Sequence, residues 1–371
     1  MRGKVMQKDD ILKLLSNIKY SNFDKDIVSF GFVKSLELGN GEVKIGLEIP
    51  SSNPEVSQDL LQKVTQLLQE NGISKCDIQI KTPQIQEKKA QKKNIAPQIK
   101  HFVMVSSGKG GVGKSTTSVN LAIALAQSGK KVGLLDADIY GPNIPRMLGL
   151  NQTRPQVNDE LKKLAPLKAY GVEMMSMGVL YEEGQSLIWR GPMIMRAIEQ
   201  LLTDVLWSEL DVLVIDMPPG TGDAQLTLAQ SVPVSAGITV STPQSVSLDD
   251  SARSLDMFSK LNIPMAGIIE NMSGFICPNC GEEYDIFGKG TTGALAEKFG
   301  TQVLAQVPLE PKVREGGDSG KPITFFHPTS KSAQEYLKAS QKLIAFLDEV
   351  DKKGGVDNTS IQPTQDNSHL H

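Results

Sequence analysis

The residues best equipped for chemistry lie in one stretch, Ser106-Ser107-Gly108-Lys109-Gly110-Gly111-Val112-Gly113-Lys114-Ser115-Thr116-Thr117. From Gly108 to Ser115 it fits G-x-x-x-x-G-K-[ST], the spacing of a loop that cradles phosphates. Glycines let successive backbone N–H groups turn inward, and a helix starting at the loop's end adds partial positive charge. Lys114 is placed to reach the β- and γ-phosphates of a nucleoside triphosphate, and the Ser115 hydroxyl to ligate Mg²⁺. The flanks agree: residues 102–105 are an apolar run of strand length, and residues 119–126 read as a helix that closes at Gly129. Strand, glycine loop and helix in that order separate a nucleotide site from a chance glycine-rich turn.

Carboxylates at strand ends come next. Asp136 closes the run Val132-Gly133-Leu134-Leu135-Asp136, Asp138 follows two residues on, and Asp216 closes Val212-Leu213-Val214-Ile215-Asp216. A carboxylate at the C-terminal end of a parallel strand, beside a phosphate loop, stands where Mg²⁺ and its waters need negative charge. Asp216 reads as a Walker B-type aspartate and Asp138 as a second acidic group of the same site. The alternative for each is an aspartate capping the next turn.

Cys277-Pro278-Asn279-Cys280-Gly281 is a C-x-x-C turn, which points two thiolates at one metal ion. Zinc takes four ligands and so does a [4Fe–4S] cluster, so two thiolates leave either site half built. Cys76, the third cysteine, belongs to an apolar stretch far upstream and reads as core. His327 is isolated and reads as a packing or capping residue. A two-fold dimer solves the count, because its interface sets the same patch of both chains face to face. On these residues alone an iron–sulfur cluster, zinc and a redox disulfide all stay open.

Three cysteines in 371 residues are no disulfide framework, so a reduced cytoplasmic setting is the default. A net charge of −3 gives no bias toward nucleic acid or an anionic membrane. No apolar run approaches the roughly 20 residues of a membrane span. Asp9 and Asp10 stand near the N-terminus without an apolar signal core, so export is not expected.

The elements that must position these groups alternate from about residue 101. Apolar runs at 102–106, 132–136, 172–177, 212–216, 238–242, 266–270 and 303–307 read as strands. Residues 115–127, 194–206, 248–261, 291–299 and 332–349 read as helices. The strand runs do not alternate apolar with polar, which suits a parallel sheet covered on both faces. The expected architecture is therefore α/β: a P-loop NTPase over 100–350, with a mostly parallel sheet flanked by helices on both faces. A small α+β domain over 5–83 precedes it, with helices at 11–18 and 54–70 and strands at 28–33, 43–49 and 76–80. Gly39-Asn40-Gly41 is a hairpin signal inside that domain. Residues 84–99, with Lys88, Lys89, Lys92 and Lys93 and no interleaved aromatics, read as a solvated linker and not as a nucleic-acid contact. The polar tail 351–371, which carries His369 and His371, reads as disordered.

In order along the chain, these motifs resemble a known family. Lys109-Gly110-Gly111-Val112-Gly113-Lys114-Ser115 is similar to the deviant Walker A motif, with a second lysine just after the first glycine. The segment from Asp136 to Pro145 resembles switch I, and Asp216-Met217-Pro218-Pro219-Gly220-Thr221-Gly222-Asp223 resembles switch II. Together with Asn271-Met272-Ser273 and the C-x-x-C pair, the set resembles the Mrp/ApbC iron–sulfur carrier ATPases of the MinD/ParA-like superfamily, over about residues 101–346. The first domain resembles the small module, similar to a eukaryotic cytosolic iron–sulfur assembly factor, that often precedes such ATPases. Asn22-Phe23-Asp24 and Asn53-Pro54 stand where that module usually has Asp-Pro-Glu and a cysteine, so no metal role is carried onto it.

The resemblance implies a homodimer with two ATP molecules near its interface. Gly108, Gly110, Gly111, Val112, Gly113, Ser115 and Thr116 would hold phosphates, with Lys114 in cis and Lys109 reaching across to the partner's nucleotide. Asp138 would position the attacking water, Asp136 and Asp216 would complete the acidic side, and Asn271 would help hold adenine. Gly220 and Gly222 would free switch II to move when the γ-phosphate leaves. A cluster, [4Fe–4S] by expectation, would bridge Cys277 and Cys280 of both chains and pass from an assembly scaffold to apoprotein acceptors. The alternative is a positioning ATPase with zinc at the C-x-x-C, but the polar tail is no basic amphipathic helix. An electron-transfer ATPase like the nitrogenase iron protein fits less well, since its cluster cysteines lie far apart in sequence. A metabolic kinase would leave the C-x-x-C unexplained. Neither nucleic acid nor membrane is an expected partner.

Overall fold

A computed structural model describes residues 7–20, 25–39, 42–49, 54–73, 75–81, 94–180 and 191–356. Expectations that fall on residues 22–24, 40–41, 84–93 and 357–371, His369 and His371 among them, lie outside the described residues. The chain divides into two compact units, Met1–Gln91 and Lys92–His371.

The first unit runs α1 (Lys8–Leu15), β1 (Val33–Gly39), β2 (Glu42–Glu48), α2 (Pro54–Glu70) and β3 (Cys76–Lys81). β1 and β2 pair antiparallel with Gly39 opposite Glu42, and β3 joins β2 in parallel. The helical spacing of Leu60, Val64 and Leu68 turns one face of α2 onto Val43, Ile45 and Leu47 of the sheet. Cys76 is half-buried against this core. One expectation fails: residues 28–32 form no strand. Asp26 accepts hydrogen bonds from the N–H groups of Val28 and Ser29 and from the Ser29 hydroxyl, which winds the chain into a turn before β1 opens. The aromatic residues that gave this run its strand character, Phe30 and Phe32, stack on each other with centroids 5.1 Å apart.

The second unit opens with β4 (Ile99–Ser106), α3 (Lys114–Gln127), β5 (Val132–Asp136) and α4 (Ile144–Met147). A short antiparallel pair, β6 (Val157–Asn158) and β7 (Lys163–Leu164), leads to β8 (Leu167–Ala169) and β9 (Val172–Ser176). Then come α5 (Gly191–Thr203), β10 (Leu210–Asp216), α6 (Asp223–Ser231), β11 (Val234–Ser241) and α7 (Ser245–Lys260). The unit ends with β12 (Met265–Ile276), β13 (Glu283–Tyr284), α8 (Thr292–Lys298), β14 (Val303–Leu309), α9 (Pro311–Ser319), α10 (Ile323–Phe326) and α11 (Lys331–Lys352).

Among the described residues the main sheet has nine strands. β14, β12, β11, β4, β10, β5 and β9 run parallel, and β8 and β13 pair antiparallel with β9 and β12. β5, β9 and β11 are buried at every position, as strands covered on both faces must be.

Two features of this sheet position the site. β10 lies between β4 and β5, which sets Asp216 level with Asp136 and beside the exit of β4 into the phosphate loop. β12 is longer than its apolar run, extending past residue 270 to Ile276. The apolar pattern breaks because the register slips between Asn271 and Phe275, where Met272 (φ 58°) and Gly274 (φ 73°) take left-handed backbone. The strand thus carries the chain from the nucleotide loop out to the C-x-x-C turn.

Candidate functional site

The phosphate loop fills the turn between β4 and α3. Gly113 sits just ahead of the helix at φ 85°, and a Cβ there would lie 2.1 Å from the Asn271 side-chain nitrogen. A Cβ on Gly108 would lie 2.1 Å from the backbone of Asp250. Left-handed backbone therefore favours glycine at Gly113, and close approach of the Asp250 backbone demands it at Gly108. The Ser107 hydroxyl donates to the Lys109 carbonyl, and the Gly220 N–H donates to the Ser107 carbonyl at 2.8 Å, tying the switch II segment to the loop.

The acidic groups converge on Lys114, which is 7% exposed. Its ammonium lies 2.9 Å from Asp216 Oδ2 and 3.6 Å from Asp138 Oδ2. The Ser115 hydroxyl donates to Asp216 Oδ2 at 2.6 Å, and the Ser118 hydroxyl to Asp216 Oδ1 at 2.7 Å. Asp136 accepts from the Ser176 hydroxyl at 3.0 Å and from the Asp138 N–H at 3.2 Å. Burial, reinforced by the neighbouring Asp216 charge, pushes the Asp136 carboxyl well above the usual range, with Lys114 and Ser176 opposing. Burial also raises Asp138, again against Lys114. A hydroxyl beside a carboxylate, Ser115 with Asp216, is a hard oxygen set of the kind Mg²⁺ accepts. Lys109 is half-buried in the loop and, among the described residues, makes no ion pair.

Beside the loop lies a cavity of about 360 Å³, lined in part by Gly113, Thr116, Arg146, Asn271, Met272 and Arg314. That volume falls within the range of small-molecule sites. The Asn271 amide donates to the Val112 carbonyl at 2.9 Å, so the residue braces the loop from inside the cavity.

The thiol pair lies at the other end of β12. Cys277 follows the strand directly, and its N–H donates to the Glu282 carbonyl at 2.9 Å. β13 returns antiparallel with Ile276 opposite Glu283, so the C-x-x-C forms the tip of a hairpin. Cys277 is half-buried and Cys280 exposed. The N–H groups of Cys280 and Asn279 aim at the Cys277 sulfur and hold its thiol below the ordinary value. Among the described residues, no group of three or more His, Cys, Asp and Glu is placed to hold a metal. His327 is exposed and caps α10 through its backbone N–H.

The structure brings Lys114, Ser115, Asp136, Asp138 and Asp216 into one network and joins Asn271 to the loop through Val112. Cys277 and Cys280 stand apart from that network, on the hairpin. Sequence reasoning missed Ser118 and Ser176, which hold Asp216 and Asp136. Ser118 lies one helical turn from Ser115, a spacing that shares a helix face and was legible. It also missed Glu270, buried at the foot of the hairpin.

A glycine loop leaving the central strand of a mostly parallel sheet, with aspartates at the neighbouring strand ends, defines a P-loop NTPase. The cell-division ATPase MinD of Pyrococcus furiosus shares the fold, with a TM-score of 0.50 at 21% identity over 66% of this chain and 98% of that one. A nucleotide-binding protein of Archaeoglobus fulgidus, solved in complex with ADP, aligns with a TM-score of 0.54 at 38% identity, over 61% of this chain and 88% of that one. The chain belongs to the family described as ParA, NUBPL iron-transfer P-loop NTPase, whose model matches residues 98–344. An iron–sulfur cluster carrier protein of Helicobacter pylori is 58% identical over 368 residues, 99% of this chain and 100% of its own length.

Proposed function

We propose that this chain is an ATP-hydrolysing carrier that holds an iron–sulfur cluster between two copies of itself and hands it to apoproteins. The observation that carries the reading is the pair of accessible thiols, Cys277 and Cys280, at one hairpin tip. They are half of a four-thiolate set, and a two-fold partner supplies the other half. The cluster, [4Fe–4S] in this reading, is cargo. Asn279 and Cys280 N–H groups favour the thiolate form of Cys277 that binding needs. Exposure of Cys280 admits an acceptor thiolate, and each carrier thiolate that leaves is replaced by one from the acceptor without change of redox state. The carrier name of the 58% identical relative favours this reading over a positioning ATPase, since the MinD likeness is one of fold alone.

The nucleotide chemistry follows from the same residues. Loop N–H groups from Gly108 to Thr116 hold the phosphates, and phosphate oxygens compete with Asp216 for the Lys114 ammonium. Asp138 orients the attacking water and takes its proton, and its raised pKa brings it nearer the range of an effective base. Lys109 reaches the partner's γ-phosphate and meets the developing charge in trans, as an arginine finger does. Asn271 and the cavity beside it hold the adenosine. Ser115, with Asp216 behind it, would hold Mg²⁺, which would supply charge neutralisation to the phosphates.

The test is anaerobic reconstitution with iron and sulfide, followed by incubation with an apoprotein that needs a [4Fe–4S] cluster. The expected result is visible cluster absorbance on the carrier and regained acceptor activity in the presence of an iron chelator. Tight zinc with no visible chromophore would overturn the reading.

A further inference from the structure

Glu270 is a charged residue fully buried at the point where β12 leaves the sheet for the thiol hairpin. Among the described residues its carboxylate makes no ion pair; it is enclosed by hydrogen-bond donors. Oε1 accepts from the Ser273 hydroxyl at 2.5 Å and the Gly290 N–H at 2.7 Å, and Oε2 from the Thr292 N–H at 2.9 Å and the Thr292 hydroxyl at 2.8 Å. Burial works against its charge, but the bonds from Ser273, Thr292 and Gly290 outweigh it and hold the carboxyl below its ordinary value.

The donors show what the carboxylate does. Ser273 precedes the hairpin, while Gly290 and Thr292 follow it, so Glu270 gathers both feet of the excursion that carries Cys277 and Cys280. The Gly274 N–H bond to the Gly288 carbonyl closes the same base. The next residue, Asn271, holds the phosphate loop through Val112, and Asn271 and Met272 line the nucleoside cavity. Between the two contacts Met272 sits at φ 58°, a left-handed conformation that is unfavourable for a non-glycine residue and persists only where its surroundings impose it.

We propose that Glu270 is a positioning residue that couples nucleotide occupancy to the thiol pair: it fixes the hairpin base to the strand end whose next residues, Asn271 and Met272, face the nucleotide. A nucleotide that resets Asn271 and Met272 moves the anchor of the hairpin, and with it the angle at which Cys277 and Cys280 are offered. The functional meaning of this coupling rests on the carrier reading above. Its test uses protein without cluster, so the two fail separately.

The experiment is thiol alkylation of the full-length protein with iodoacetamide, resolved residue by residue by mass spectrometry, with and without Mg·ATPγS. In the unsubstituted protein, Cys277 and Cys280 should react at rates that differ about fivefold or more between the two conditions, the size of a typical coupling between sites. In Glu270→Gln the side-chain nitrogen would face two of the four donors, and the ratio should fall to about one while ATPγS affinity is kept. Cys76, in the other unit, serves as internal control and should not respond. A merely structural role would raise alkylation equally in both conditions and leave the ratio intact, which would overturn the proposal. So would a ratio of about one in the unsubstituted protein. Should Glu270→Gln fail to fold, Thr292→Val removes one donor and keeps its N–H; it must reduce the ratio, and an unchanged ratio there would overturn the proposal as well.

Discussion

The phosphate site and the thiol tip are built on opposite principles. The first is assembled from three adjacent strand ends, lies within the buried network around Lys114, and holds its groups at several points each. The second hangs from one strand, is open to solvent, and brings two sulfur ligands. Chemistry that must stabilise a fleeting charge needs preorganised groups that cannot relax, and a sheet interior supplies them. A group that must let go of its cargo gains from being exposed and from sharing the coordination with a second chain. Glu270 and Asn271, neighbours on β12, stand where the two regimes meet.

The largest expected effect separates the two regions outright. Cys277→Ser or Cys280→Ser should abolish cluster absorbance after reconstitution, while ATP affinity stays within about twofold, because neither thiol lines the cavity beside the phosphate loop. A cluster retained at full occupancy in either variant would break the comparison.

Next come substitutions inside the nucleotide site. Asp138→Asn should lower the hydrolysis rate by about 10²–10⁴-fold with little change in ATP affinity, the loss of a positioned base. Lys109→Ala should also stall hydrolysis. Mixing the two dead variants sharpens the point: in a heterodimer, the chain with an intact Asp138 receives the partner's intact Lys109. The mixture should recover about a quarter of the parental rate if subunits exchange freely around a two-fold axis. No recovery would place Lys109 in its own chain's site.

A subtler effect concerns pH. The Asp138 carboxyl is raised by burial, and the proposed mechanism needs it ionised as base, so hydrolysis should fall with an acid limb above the ordinary carboxylate range. Stability carries the matching sign. Asp138 binds its proton more strongly folded than unfolded, so its contribution is full below the unfolded pKa and lost as pH rises through the folded one. Melting curves should therefore show Asp138→Asn gaining on the parent as pH rises through that window. A difference independent of pH would contradict the burial of this group.

The smallest effect tests what holds the hairpin. Lys289 and Glu283 form an ion pair on its returning side, but both are well exposed. Surface pairs of this kind contribute little. Lys289→Ala should leave both the melting temperature and cluster loading unchanged, in contrast to changes at the buried Glu270 clasp.

Much of the nucleotide site was legible in sequence because its requirements are local. The loop's spacing, the lysine and the first hydroxyl are contiguous, and Asp136 and Asp216 announce themselves as the last residues of apolar runs. The sheet was legible for the same reason, since strands buried on both faces leave unbroken apolar runs. What stayed hidden depends on distant partners. Glu270 looks like the polar end of a strand, and only Gly290 and Thr292, brought back by the hairpin, show it to be a buried anchor. The extension of β12 was masked by a bulge that breaks the pattern at Asn271–Gly274. In the first unit, Asp26 overrode the strand character of residues 28–32 by capturing N–H groups that a ladder would have used.

The proposed carrier mechanism turns on joint ownership of the cluster by two chains. The direct measurement is iron and sulfide content, together with molar mass, of the anaerobically reconstituted protein. The expected result is one [4Fe–4S] cluster for every two chains, in a species of twice the chain mass that dissociates as the cluster is removed. A stable cluster on each single chain would contradict it.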